Sequence, residues 1–142
     1  MDLNAMIKEL FTGFKVNNIT IPVSYMQYIN KKGEPYIVFS QYDKDNSYSG
    51  DDEILGYISY YDFDIYSKSN YLEIIEAVKK IMKSSGWTWQ PRRDSPDFYE
   101  SDTKYFHKTL CFAYPIQEEA EEPEEDDNAN SITENNNNIE EV

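Results

Sequence analysis

Asp62 and Asp64 flank Phe63, so on an extended strand both carboxylates project from one face. Paired carboxylates can hold a divalent cation or share a proton. The sequence places no third ligand near them, and a solvent-facing or interface strand is the preferred reading. The run Asp43-Lys44-Asp45-Asn46-Ser47 begins like a calcium loop, but Tyr48 stands where glycine is needed and Ile54 where the closing glutamate is needed. His107 and Cys111 are the only histidine and the only cysteine. Four apart on a strand, they share a face but are separated along it, which argues against a Cys–His catalytic pair. There is no glycine-rich phosphate loop, no GxSxG, no CxxC and no HxxxH. With five glycines and one histidine, most catalytic constellations cannot be assembled. No catalytic residue, cofactor-binding residue or metal ligand is therefore expected, and no enzyme. Arg92 and Arg93 beside Trp87, Trp89 and Tyr99 could stack on and clamp a nucleic acid. The same residue types anchor protein interfaces, and Asp94, Asp97, Glu100 and Asp102 would repel phosphate, so an interface is preferred.

These residues need elements to hold them. The clearest is Ile54–Met82. Tyr57, Ser59, Tyr61, Phe63 and Ile65 alternate with Ile58, Tyr60, Asp62, Asp64 and Tyr66, which predicts a long strand. Ser67-Lys68-Ser69-Asn70 ends it, and Asn70 with Glu73 resembles a capping box opening a helix near Tyr71. Tyr71, Ile74, Ile75, Val78, Ile81 and Met82 form its apolar face, with Ser85-Gly86 as the stop. Before this unit, residues 2–14 place Leu3, Met6, Ile7, Leu10, Phe11 and Phe14 on one helical stripe ending near Gly13. Ile19–Ile29 is a strand at an edge or one that starts after Pro22, because proline cannot donate to a ladder. Tyr36–Tyr42 is apolar nearly throughout and predicts a strand covered on both faces.

Asp43–Glu53 and Pro91–Asp102 read as polar loops, the first holding Asp43, Asp45, Asp51 and Asp52. A strand opens at Trp87, and Thr103–Tyr114 alternates well enough to be the last. The order is α-β-β-β-α-β-β. This is an α+β fold with a mostly antiparallel sheet of about five strands, two helices on one face and a tyrosine-rich opposite face.

The chain has 142 residues and a net charge of −14. From Glu118 onward it has eleven acids and no Lys, Arg or aromatic residue, so residues 118–142 supply −11 of that charge. This acidic, Asn-rich segment cannot bury enough apolar surface to order itself, leaving 1–117 as the expected domain. The domain carries 13 basic and 16 acidic residues, a net −3, which weakens any case for a nucleic-acid mimic. A lone cysteine excludes an internal disulfide framework and fits a reducing cytoplasm. No apolar run reaches the roughly 20 residues needed to span a bilayer, and no secretory signal is visible.

Several segments together resemble a family. They are Ser49-Gly50-Asp51-Asp52 before the long strand, Asp62-Phe63-Asp64-Ile65-Tyr66 leading to the helix, and Asp97-Phe98-Tyr99-Glu100. Asp102-Thr103, the Tyr105–Phe112 strand and Pro22-Val23-Ser24-Tyr25 complete the pattern. Across roughly residues 1–115 the chain resembles the tail completion, or tail terminator, proteins of long-tailed phages and prophages of Gram-positive bacteria. The acidic segment is not part of that pattern.

The resemblance implies a structural virion protein at the junction of tail and neck, made in the host cytoplasm. It implies a hexameric ring that caps the head-proximal end of the tail tube, stops its elongation and joins the head connector or head-closure protein. The genome would pass through the pore without specific binding. The family brings no catalytic residue. Asp43, Asp45, Asp51, Asp52, Trp87, Trp89, Arg92, Arg93, Phe98 and Tyr99 are the expected contact residues, on or beside the two loops. Rival readings are a head-closure protein, a tail assembly chaperone, or an acidic decoy of a DNA-binding partner.

Overall fold

A computed structural model describes residues 1–28, 33–50 and 53–117, and of 45–50 and 53–55 only the secondary structure. The elements are α1 (Leu3–Leu10), β1 (Lys15–Val16), β2 (Ile19–Thr20), β3 (Val23–Tyr25), β4 (Tyr36–Gly50) and β5 (Glu53–Ser67). They continue with α2 (Tyr71–Ser84), β6 (Thr88–Trp89), a short 3₁₀ turn (Pro91–Arg93), β7 (Phe98–Glu100) and β8 (Tyr105–Gln117). The fold is α+β, with a mostly antiparallel sheet. Its strand order is β3-β4-β5-β8-β6, with β7 also paired to β8, while β1 and β2 form a separate two-stranded ladder.

The described residues divide into two compact units, 1–44 with 59–114, and the described part of 45–58 with 115–117. In the second, Gly56 is buried and Tyr57 and Ile58 half-buried. The acidic segment 118–142 lies outside the described residues.

In the first unit, period-two alternation sets the core. Ser59, Tyr61, Phe63, Ile65 and Ser67 of β5 are buried, and the residues between them are half-buried. Phe63 is fully buried, its ring centroid 5.8 Å from Phe11, 5.7 Å from Phe39 and 5.6 Å from Phe112. One ring thus ties the segment after α1 to three strands. Burying a phenylalanine contributes about 1.5–3 kcal/mol. The Tyr61 hydroxyl donates to Asn4 Oδ1 of α1 at 2.7 Å, and Tyr71 of α2 stacks on Phe106 of β8 at 5.5 Å. Phe106 and Phe112 share a face of β8, so both helices lie on one side of the sheet.

The helices form for local reasons. Asp2 Oδ1 accepts the Ala5 N–H at 3.1 Å and caps α1, which buries Leu3 and Ile7. Helix α2 buries Tyr71, Ile74, Ile75, Val78 and Met82. It stops because Gly86 takes φ 93°, a conformation that suits glycine, and the Trp87 N–H turns back to the Met82 carbonyl at 3.0 Å.

Several expectations are corrected. Asn70 does not cap α2: it is left-handed, with φ 58° and no side-chain cap bond, and Glu73 accepts from Asn17 Nδ2 at 2.7 Å instead. Residues 2–14 are helical only over Leu3–Leu10, with Phe11 and Phe14 buried in the turn that follows. The expected loop 43–53 is strand over its described residues, since β4 extends to Gly50 and β5 begins at Glu53, while 51–52 lie outside the described residues. The segment 91–102 is irregular only in part: it holds a 3₁₀ turn at Pro91–Arg93 and the strand Phe98–Glu100, with 94–97 and 101–102 outside regular structure. Near its start β4 is not covered on both faces: Ile37 and Phe39 are buried, whereas Val38 and Ser40 are half-buried and Tyr42 exposed. Residues 19–29 agree with the expectation in part: a strand, β3, starts after Pro22 and lies at the sheet edge, Ile19–Thr20 is a separate short strand, and Ile29 lies outside the described residues.

Candidate functional site

The strand beside β8 is interrupted. Thr88 and Trp89 pair with Ala113 and Phe112, and Phe98–Glu100 with His107–Tyr105. Between these ladders, residues 90–97 stand opposite 108–111, so the chain must bulge. Pro91 suits the 3₁₀ turn that takes up the excess. The Gln90 N–H reaches the Cys111 carbonyl at 2.8 Å, and the Ser95 N–H the Thr109 carbonyl at 2.9 Å. Side chains replace the missing backbone acceptors. Ser95 Oγ accepts the Thr109 N–H at 2.8 Å. Asp94 Oδ1 accepts the Cys111 N–H at 2.9 Å, and its Oδ2 accepts from Trp89 Nε1 at 2.9 Å. Asp94 is thus the clamp of the bulge.

The face of the sheet turned away from the helices carries a polar and aromatic cluster. Asp62, Asp64, His107, Thr109 and Cys111 lie on it. The Thr109 hydroxyl donates to Asp64 Oδ1 at 2.5 Å. His107 Nε2 stands 3.7 Å from the same oxygen, and its Nδ1 3.9 Å from Glu100. The imidazole stacks on Tyr66 at 4.2 Å, and Tyr66 on Tyr36 at 4.5 Å. Burial, with Asp64 close by, pushes the Asp62 carboxyl up to about 6. Burial likewise pushes the Cys111 thiol up to about 12, with the negative charge of Asp62 adding to it. The thiol stays protonated at neutral pH and is not an activated nucleophile. His107 and Cys111 both face this cluster but meet different partners. Among the described residues, no group of three or more His, Cys, Asp or Glu is placed to hold a metal ion.

Arg93 closes one side of the cluster. Its guanidinium lies 3.8 Å above the Tyr60 ring and 3.7 Å from Asp43 Oδ2, with Tyr42 further out at 5.8 Å. Arg93 and Asp43, expected to act on separate loops, form one exposed patch joining β4, β5 and the bulge. Tyr42 and Tyr60, which complete it, were not foreseen. Their alternation with core residues was the available signal.

The other expected contact residues are scattered. Trp87 is corrected: it is 3% exposed, packed edge-on against Tyr61, and belongs to the core. Trp89 is half-buried under the Lys79 ammonium, 3.8 Å from the ring centroid. Arg92 is exposed on the 3₁₀ turn. Phe98 and Tyr99 are exposed on β7 at the sheet edge. Asp45 lies in β4, its side chain outside the described residues, as are Asp51 and Asp52 altogether.

Beside that edge, Leu72 and Phe106 are exposed around a groove of about 510 Å³ lined also by Ser69, Tyr71 and Asp97. The Tyr71 hydroxyl donates to Asp97 at 2.9 Å, which holds that carboxylate below its usual range, while burial and the same bond raise the phenol. No helix among the described residues is long and apolar enough to cross a membrane. A scan against protein-family models and a search of curated proteins find no match.

Proposed function

We propose that the chain is a structural virion protein of the tail terminator type. It forms a ring on the head-proximal end of a phage tail tube, stops the tube's growth and offers a surface to the head connector. The observation that carries this reading is the segment resemblance over residues 1–115. Among the described residues its segments fall on β3, the end of β4, β5 and the hairpin from β7 to β8, which is every strand of the main sheet except β6. The protein works by binding other proteins and performs no catalysis. The genome passes it without specific contact, since a domain of net charge −3 does not attract phosphate. Support for contact work comes from the surface: Arg93, Tyr42, Tyr60 and Asp43 form one patch, and Phe98 and Tyr99 stand exposed on an edge.

The direct test adds purified protein to polymerising tail tube subunits and measures tube lengths by electron microscopy. Tubes capped at one end and shortened in proportion to added protein are expected. Unchanged lengths, with no protein bound at tube ends, would overturn the reading.

A further inference from the structure

Among the described residues the sheet has no strand beyond β3 on one side or beyond β6 and β7 on the other. Most of the large apolar side chains exposed among the described residues gather there. Tyr25 and Met26 stand at the β3 edge, and Phe98, Tyr99, Phe106 and Leu72 at or beside the β7 edge. An exposed strand edge is a template for pairing with another strand.

The backbone is set for such pairing on both sides. The Ile37 N–H donates to the Pro22 carbonyl and the Met26 N–H to the Phe39 carbonyl, so by alternation the Val23 and Tyr25 N–H groups point away from β4. Across the sheet, Thr109 and Cys111 turn their backbone groups toward the bulge. The same alternation gives bonded pairs at Phe98–His107 and Glu100–Tyr105, so the Tyr99 N–H and carbonyl point outward.

The side chains match as well. Tyr25 touches Phe39 at 5.5 Å and so lies on the helix side of the sheet. Tyr99 touches Phe106 at 4.9 Å on that same side, next to the groove with Leu72 and Tyr71. A sheet continued from one copy into the next puts Tyr25 of one against Tyr99 and Phe106 of the other. Charge counts against a contact between two β7 edges, even with Asp97 paired to Lys108 at 3.4 Å. The β7 edge carries Asp97, Glu100 and Asp102, so two β7 edges face to face would bring like charges together. From Asn17 to Tyr28 there is no charged residue at all.

We propose that the β3 edge of one copy pairs with the β7 edge of the next, with Tyr25 seated beside Tyr99 and Phe106. Unlike edges make a head-to-tail contact, which closes into a ring when the rotation per copy allows it. This deepens the ring reading above and rests on it for the closure, though not for the contact itself.

The test uses two single variants of the full chain, Tyr25→Cys and Tyr99→Cys, in a background whose own cysteine is fully buried. They are mixed under mild oxidation and run without reductant, and the unmodified chain is weighed by sedimentation. A cross-linked dimer in the mixture, several times stronger than in either variant alone, is expected. In Tyr99→Lys, a charge on the edge should raise the concentration needed for association at least tenfold, with the circular dichroism of the monomer unchanged. A cross-link in Tyr99→Cys alone would show a two-fold contact and overturn the proposal. So would a ring by sedimentation without any cross-link, which leaves the ring reading standing. A chain that stays monomeric at high concentration also overturns it, whereas the tail terminator reading falls only on the tube-length assay.

Discussion

Replacing Asp62 by asparagine should stabilise the protein at neutral pH. Asp62 sits on β5 among Asp64, Asp94 and the Cys111 thiol, with Arg93 as the nearby cation. Its carboxyl rises from 3.8 to about 6, first through burial and then through Asp64. At about 1.4 kcal/mol per pH unit, that rise corresponds to roughly 3 kcal/mol. The group is only half-buried, so water and salt screen it, and a penalty of about 1–2 kcal/mol is what survives. The sign follows from proton uptake. The folded state holds this proton more tightly than the unfolded chain, so the contribution favours folding fully below pH 3.8 and is lost as pH rises through about 6. The asparagine side chain never ionises. Urea unfolding of both proteins at pH 4, 5.5 and 7.5 should show near-equal stability at the lowest pH and a gain of about 1–2 kcal/mol for the variant at the highest. A variant that is less stable at pH 7.5, or a difference that does not change with pH, would refute the reasoning.

Phe63→Ala removes the ring shared by Phe11, Phe39 and Phe112 and should cost about 3–5 kcal/mol, read as a fall in the urea midpoint. Cys111 should resist a thiol reagent at pH 8 in the native protein and react at once in denaturant, because burial and Asp62 hold it protonated. Rapid native labelling would contradict the packing of β8 against the bulge. Replacing Arg92 and Arg93 together by alanine should lower stability by less than about 1 kcal/mol, since both are exposed, yet weaken assembly measured by sedimentation. Unchanged assembly would remove the Arg93–Asp43–Tyr60 patch from the contact surface.

The long strand β5 and helix α2 were legible because one face of each is buried, and a buried face writes its period into the residues. The same logic exposed the tyrosine-rich opposite face, where Tyr36, Tyr66 and His107 stack. What was not legible depended on pairing between distant segments. Polar composition hid the strands over 43–50 and 98–100, because polar residues carry little strand signal of their own. The bulge clamp escaped notice because Asp94 is defined by the Cys111 amide it meets, seventeen residues on. Trp87 looked like an interface anchor beside Arg92 and Arg93, but the turn at Gly86 swings it into the core against Tyr61. The capping box at Asn70 failed because a left-handed residue cannot aim its side chain back at the helix.

The role proposed for this protein is to end tail growth. It is tested most directly by electron microscopy of lysates from a phage or prophage carrying this gene, with the gene deleted and restored. Tails of uncontrolled length beside full, unattached heads, reverting when the gene is supplied, are the result this account predicts. Complete, infectious particles in the deletion would contradict it.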